Sequence, residues 1–368
     1  MRARFDFVAG QNHNSLHKQR IDTKTPDQSG PDSTTATKHA LMPPPSNLPL
    51  ERGYQLLNYT IVKQLSAGGF SIVYLAHDEH DQPVAIKEYL PNAIALRSEG
   101  EKVLATSAEN LALFRHGMKC FFEEGKTLAQ IRHPNVVRVI NFFRANDTVY
   151  MVMEYERGRT LQKEIQLTDG GVKENMILYV FAHLMNGLRE VHLKKMLHLD
   201  IKPANLYIRR DGSPVLLDFG SAREALNQTA LSKFTPMYTP GFASPEQYSD
   251  RENLGPWSDI YSVGATLFAC MCGMAPQAAD QRVKEDRYQS VKKAWAGRYS
   301  PRLLELVDWS LELDHLARPQ SVREVQKILV DIGTEPLVKQ GGLLASIKST
   351  VTRFSRQDGS AKGKGEPK

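Results

Sequence analysis

The stretch His198-Leu199-Asp200-Ile201-Lys202-Pro203-Ala204-Asn205, followed thirteen residues after Asn205 by Asp218-Phe219-Gly220, constrains this chain more than any other feature. Its residue types suit phosphoryl transfer, which asks little covalent help of a protein. That chemistry needs a carboxylate to orient an incoming hydroxyl, and hard oxygen ligands to hold a divalent ion against phosphates. Asp200 fits the first requirement; Asn205 and Asp218 fit the second. Between the motifs, Leu206-Tyr207-Ile208 and Pro214-Val215-Leu216-Leu217 flank a turn at Arg209-Arg210-Asp211-Gly212, the pattern of a β-hairpin. Such a hairpin folds both motifs onto one wall of a cleft.

The segment upstream supplies the opposite wall. Residues 59–65 alternate as a strand, Ile72-Val73-Tyr74-Leu75-Ala76 makes the return, and the turn between them is Ser66-Ala67-Gly68-Gly69-Phe70-Ser71. Val84-Ala85-Ile86-Lys87 forms a third strand carrying an inward lysine. The helical stretch from Phe121 to Leu128 offers Glu124 as its partner, chosen over Glu123 by its distance to His133-Pro134-Asn135-Val136-Val137. Thirty-seven positions separate Lys87 from Glu124, so residues 91–117 hold an insertion, either a hairpin turning at Ser98-Glu99-Gly100-Glu101 or extra helix. From Asn175 to Lys194, apolar residues recur at helical spacing and deliver the chain to the Asp200 loop.

In this order, the motifs resemble the eukaryotic-like, bacterial-type serine/threonine protein kinases over residues 59–332. The resemblance implies an α+β bilobal fold. A small β-rich N-lobe with one key helix spans about 59–153, and a larger helical C-lobe spans about 158–332. It implies transfer of the ATP γ-phosphoryl group to protein serine or threonine hydroxyls. Asp200 orients the hydroxyl, Lys202 neutralises charge on the transferring group, and Lys87 positions the α- and β-phosphates. Asn205 and Asp218 bind magnesium, two ions in the usual case, for which manganese can substitute. Residues 66–71 cover the phosphates. Leu65, Val73, Ala85 and Tyr207 sandwich the adenine, Met153 faces its pocket, and the backbone of Glu154 and Glu156 meets the base edge. The phosphate loop departs from the family pattern, keeping only Gly68 of the three usual glycines and placing serine at 66 and 71.

Asp218 to Glu246 spans 29 residues and carries the hydroxyls Ser221, Thr229, Ser232, Thr235, Thr239 and Ser244. Its end, Thr239-Pro240-Gly241-Phe242-Ala243-Ser244-Pro245-Glu246-Gln247-Tyr248, matches the family's substrate-facing loop. Glu246 is expected to pair with Arg318, since an unpaired carboxylate is costly to bury. Asp259, opening an apolar helix, is expected to hold the catalytic-loop backbone. The family's usual arginine before the catalytic aspartate is Leu199 here. That arginine gives a phosphorylated loop something cationic to pair with, so catalysis in this chain is expected not to depend strictly on loop phosphorylation. Two other readings keep the fold: a catalytically silent nucleotide-binding scaffold, and a kinase of small molecules. The full set Lys87, Asp200, Asn205 and Asp218 argues against the first, and the protein-type segment 239–246 against the second.

Composition serves mainly to exclude. A chain of 368 residues, 41% hydrophobic and 24% charged, reads as a soluble globular protein with no apolar run near the ~20 residues of a membrane helix. The first residues carry no secretory signal, and Cys120, Cys270 and Cys272 build neither a disulfide framework nor a zinc site, which suits the cytoplasm. A net charge of +6 without basic-aromatic runs excludes a nucleic-acid partner. Residues 1–50 read as a disordered extension and 333–368 as a tail. Within that tail, Leu343, Leu344, Ile347, Val351 and Phe354 share one helical face. Residues 343–356 therefore suit peripheral contact with the inner face of the cell membrane, or with a protein groove.

Overall fold

The computed structural model describes residues 47–97, 100–168, 171–220 and 238–334, all within one compact unit that begins at Pro45. The extension up to residue 46, Ser98 and Glu99, the hydroxyls Ser221, Thr229, Ser232 and Thr235, and the tail beyond Thr334 with its amphipathic stretch 343–356 lie outside the described residues.

The N-terminal half is a six-stranded antiparallel sheet. Its strands are β1 (Gln55–Leu56), β2 (Tyr59–Ala67), β3 (Ser71–His77), β4 (Pro83–Tyr89), β7 (Val139–Ala145) and β8 (Thr148–Glu154), in the order β1-β2-β3-β4-β8-β7. The two-residue alternation read from the sequence is kept in β3, where Ile72, Tyr74 and Ala76 are buried and their neighbours are not. β8 lies between β4 and β7 and buries all but its last residue, so its run of apolar side chains follows from having neighbours on both edges and both faces. The insertion after β4 is both of the expected alternatives at once. β5 (Ala95–Leu96) pairs with β6 (Leu104–Ala105) as a short hairpin, and α1 then runs from Ala108 to Leu128, thirteen residues longer toward its N-terminus than the stretch read as helical. Ser107 starts α1 by accepting a hydrogen bond from the Asn110 amide at 3.2 Å.

Order also begins earlier than the sequence suggests. Residues 47–58 lie outside the expected domain, yet Leu50 and Leu56 are core residues and β1 pairs with the start of β2. The segment is short, holds a proline and a glycine and is interrupted by turns, so neither period shows in its sequence. Its order comes from tertiary contacts: the Leu50 amide donates to the Tyr74 hydroxyl at 3.1 Å, and Leu48 bonds both ways with Arg97.

The C-terminal half is helical. β9 (Gly158–Thr160) leads from the sheet into α2 (Leu161–Leu167) and then α3 (Glu174–Leu193). The predicted hairpin is β10 (Leu206–Arg209) and β11 (Pro214–Leu216), joined by β9 into a second small sheet. Gly158 is required there, because a Cβ would stand 2.0 Å from the Ile208 carbonyl oxygen of β10. The helices α4 (Pro245–Ser249), α5 (Pro256–Cys272), α6 (Ala279–Lys284), α7 (Val291–Ala294), α8 (Pro301–Ser310) and α9 (Val322–Thr334) complete the lobe. α5 is buried almost all round, and α9 seats Val322, Val325, Leu329 and Ile332 as a single apolar stripe. Among the described residues no helix is long and apolar enough to cross a membrane.

Candidate active site

Lys87 reaches from β4 into the cleft between the sheet and the β10–β11 hairpin, where its Nζ stands 3.4 Å from Asp218 Oδ1. The ammonium also lies 5.7 Å from the centroid of the Phe121 ring on α1. Glu124, three residues further along that helix, is buried, whereas Glu123 is exposed and stands 3.7 Å from Lys126. α1 therefore turns Glu124 inward, and Lys87 stands in an ion pair with Asp218.

The second cluster forms around Asp200. Lys202 Nζ donates to its carboxylate at 3.0 Å and to Thr239 Oγ1 at 2.8 Å, and Thr239 Oγ1 donates to Asp200 Oδ1 at 3.2 Å. Asn205 Nδ2 donates to the Asp200 carbonyl and to Asp200 Oδ2, both at 2.8 Å. These acceptors fix which way the Asn205 amide points, and so its Oδ1 is directed elsewhere as a hard oxygen donor. One protein amide oxygen and the half-exposed carboxylate of Asp218 suit magnesium, which keeps much of its water and takes few protein ligands.

The backbone that carries Asp200 is in an unusual conformation. Leu199 has φ 58° and Asp218 has φ 49°, both in the left-handed region that non-glycine residues avoid. Asp259 on α5 holds the first: its Oδ1 accepts from the Leu199 amide at 2.8 Å, and its Oδ2 from the His198 amide at 2.9 Å and His192 Nε2 at 2.8 Å. Gln247 Nε2 donates to the Leu199 carbonyl at 3.1 Å. Burial would raise the Asp259 carboxyl, but its hydrogen bond to His192 and the nearby histidines hold it below the usual range. His198 is fully buried, which pushes its pKa down. The neutral ring accepts from the Asp200 amide at Nδ1 (3.2 Å) and donates from Nε2 to the Leu217 carbonyl (2.8 Å). Phe219 packs against that ring, 4.3 Å between centroids, and the Gly220 amide donates to the His198 carbonyl at 2.8 Å. The two motifs are thus tied to one another through His198.

Glu246 and Arg318, 72 positions apart, form a buried bidentate pair at 2.8 and 3.0 Å. Ser258 donates to the same carboxylate at 2.7 Å, and Arg318 also reaches the Glu312, Leu313 and Trp257 carbonyls. Burial raises the Glu246 carboxyl; the arginine and serine outweigh it and keep the net shift downward.

A cavity of about 400 Å³ is lined by residues 66–71, Val73 and Lys87 from the sheet and by Asp200, Lys202, Asn205 and Asp218 from the other wall. Tyr89, Phe121, Ala204 and Phe219 line it too, and the sequence reading gave none of them a role in the site. Tyr89 stands two residues after Lys87 on one strand, so the period of two could have found it. Leu65, Ala85, Met153, Glu154, Glu156 and Tyr207 are not part of that lining. Met153 is buried opposite Ala85, and Leu65 is exposed. The Tyr207 hydroxyl donates to the Gly158 carbonyl at 2.9 Å, and the Glu156 carboxylate is clamped by Arg209. The Glu154 amide is already bonded to the Arg138 carbonyl at 3.0 Å, so only its carbonyl is left for a base edge. A larger cavity, about 970 Å³, lies between the β9–β10 strands and α3, and no residue of the motifs lines it.

Residues 59–329 match the protein kinase domain profile. Serine/threonine-protein kinase B of a Synechocystis strain is 30% identical over 265 residues, covering 69% of this chain and 44% of that protein. Serine/threonine-protein kinase PknA of a Nostoc strain is 28% identical over 285 residues, covering 75% and 48%. The chain thus spans less than half the length of these two curated relatives. The solved structure of the PpkA-294 apo form covers 77% of this chain and all of its own, at 34% identity and a TM-score of 0.68. Profile, relatives and the bilobal fold agree, and the chain belongs to the protein kinase family.

Proposed function

We propose that this chain transfers the γ-phosphoryl group of ATP to serine or threonine hydroxyls of protein substrates. The arrangement of Asp200, Lys202 and Thr239 carries the reading, because it gathers a carboxylate, a cation and a substrate-loop hydroxyl within 3.2 Å. A substrate hydroxyl entering between Asp200 and the cavity displaces Thr239 from the carboxylate. As its oxygen bonds to the γ-phosphorus, the bond from that phosphorus to the bridging oxygen of ADP breaks, and the hydroxyl proton passes to Asp200. Lys202 offsets negative charge on the transferring group, and Lys87 holds the remaining phosphates. Asn205 and Asp218 would hold magnesium, which when bound supplies charge neutralisation at the phosphate oxygens. Incubation with radiolabelled ATP, magnesium and casein should label the protein acceptor with the wild type and not with Asp200→Asn. Labelling of an aminoglycoside in place of casein, or equal labelling by the variant, refutes the assignment.

The catalytic loop is tied internally by Asp259 and Gln247, which act on the Leu199 backbone without any cationic side chain at that position. This supports activity that does not depend strictly on phosphorylation of the substrate-facing loop. Alanine at Ser221, Thr229, Ser232 and Thr235 together should leave turnover within about tenfold, a barrier change of about 1.4 kcal/mol. A loss of several orders of magnitude contradicts it. Thr239 and Ser244 are left out of the test, since Thr239 contacts Lys202 and Asp200 and Ser244 forms a capping box with Gln247. The three cysteines are free thiols, which fits a reducing cytoplasm.

A further inference from the structure

The phosphate loop lacks two of the glycines its family uses, yet its turn is tied from behind by a segment outside every motif. The Leu90 amide donates to the Phe70 carbonyl and the Asn92 amide to the Gly69 carbonyl, each at 2.9 Å. Asn92 Nδ2 reaches the Gly68 carbonyl at 3.4 Å. Asn47, from the segment ahead of the kinase domain match, donates through Nδ2 to Asn92 Oδ1 at 2.6 Å, and its own Oδ1 accepts from the Arg97 amide at 2.8 Å. Backbone groups fix both ends. Arg97 N–H can only donate and Gly68 C=O can only accept, so each amide has one allowed orientation and the chain of bonds has one direction. Chains of this kind strengthen each other's bonds.

The base of the chain is rigid. Arg97 is buried with its guanidinium bonded to the buried Glu88 carboxylate, to the Glu101 carbonyl at 3.0 Å and to the Leu48 carbonyl at 3.1 Å. Glu88 also accepts from Tyr74 at 2.8 Å and from Tyr150. Glu88 follows Lys87 on β4 and points to the opposite face of the sheet. One strand therefore presents the phosphate-pairing lysine to the cleft and anchors the loop's tether behind it.

We infer that Asn92, oriented by Asn47, is a positioning residue for the phosphate loop: its side chain holds the Gly68 carbonyl back, beside the Gly69 carbonyl that its backbone amide holds, so that the loop's amides face the nucleotide. This rests on the ATP reading of the site and adds to it residues that no motif contains. Each position needs a side chain that donates on one side and accepts on the other, which an amide does and a carboxylate cannot. A carboxylate at 47 keeps the bond from Arg97 but has no proton for Asn92, whose amide then turns from Gly68 to meet it.

The test uses the full chain with magnesium-ADP binding followed by calorimetry, and with steady-state kinetics on ATP at fixed casein. Asn92→Ala and Asn47→Ala should each weaken ADP binding and raise KM for ATP by about fivefold, with kcat within about twofold. Asn47→Asp should match Asn47→Ala, and the double alanine variant should be no weaker than the single ones, since all three break one chain of bonds. Asn58→Ala, in the same lobe but outside the chain, should behave as wild type. The inference is overturned if Asn92→Ala and Asn47→Asp bind ADP like wild type, if the two alanine effects multiply, or if the change falls on kcat alone. A drop in the melting temperature of the nucleotide-free protein that accounts for the weaker binding also overturns it. Wild type that fails to bind ADP at all instead removes the ATP reading on which the inference stands.

Discussion

Replacing Asp259 with asparagine is the most informative single perturbation of this site. The carboxylate accepts three hydrogen bonds, two at Oδ2 from His192 and the His198 amide, and one at Oδ1 from the Leu199 amide. An asparagine has one acceptor oxygen. Its best orientation keeps that oxygen toward His192 and His198, leaving its NH₂ facing the Leu199 N–H. One charge-assisted bond is lost, roughly 1.5–3 kcal/mol, and a buried donor is left unsatisfied, roughly 1–3 kcal/mol more. Since these overlap, a net loss of about 3 kcal/mol is expected, a large share of the stability of a typical domain.

The kinetic effect should exceed what instability alone explains. Leu199 holds φ 58° at a cost of about 1–2 kcal/mol, and its amide bond to Asp259 is what offsets that cost. Once released, Leu199 relaxes and carries Asp200 with it. A displacement near 1 Å is worth about 100-fold in rate. Urea denaturation should show the stability loss, and phosphoryl transfer to casein should show kcat down about 100-fold with KM for ATP within about threefold. Glycine is at ease at φ 58°, so adding Leu199→Gly to Asp259→Asn should recover about 1 kcal/mol and part of kcat. If kcat of Asp259→Asn stays within about threefold of wild type, or if Leu199→Gly recovers nothing, the link from backbone strain to catalytic geometry is wrong.

Arg318→Met should destabilise the fold by about 3–5 kcal/mol, because it strands the buried Glu246 carboxylate with Ser258 alone, and Glu246→Gln in the same chain should restore most of that loss in urea unfolding. Stability should also fall in two stages on acidification. His133, driven down to about 4 by burial with Arg189 and His183 adding to it, stays neutral in the fold, whereas the unfolded chain takes up that proton near 6.5. His198 is shifted the same way, so both histidines contribute fully above about 6.5 and lose their contribution as pH falls from there toward the folded value. Glu246 and Asp259, held below the usual range, keep their contribution down to about pH 4 and lose it below, as the pH passes their folded values. A urea midpoint that is flat from pH 7 to 5, or that His133→Asn does not flatten, contradicts the first stage.

How much of this was legible in the sequence depends on how far each contact reaches. Period-two alternation located β3 because one of its faces is packed, and period 3.6 located α3 for the same reason. Clustered motifs located Asp200, Asn205 and Asp218, since their relative spacing is fixed by one hairpin. The start of α1 stayed hidden. Its added turns carry His116, Lys119 and Cys120 among Leu113 and Phe114, a mixture whose apolar face shows only where Phe114 packs on Tyr89. The adenine-side residues taken over from the family were the least constrained by this sequence, since the Glu154 and Glu156 roles rest on backbone groups that any residue carries.

Residues 47–58 show the limit most clearly, and why it lies there. Nothing in Asn47-Leu48-Pro49-Leu50 announces order: it holds a proline, no period, and two apolar residues of which Leu48 stays exposed. What orders it is Arg97, a residue that composition alone assigns to the surface. Arg97 is buried because Glu88 is already buried beneath Tyr74 and Tyr150, and its remaining donors then need carbonyls that only Leu48 and Glu101 supply. An isolated buried charge is prohibitive, so the ion pair and its covering segment must form together. A contact of that kind has no local signature, because each partner looks wrong for its position until the other is present. The same logic places the loop tether outside the motifs: a phosphate loop short of glycines can be held by residues whose sequence says nothing of nucleotides.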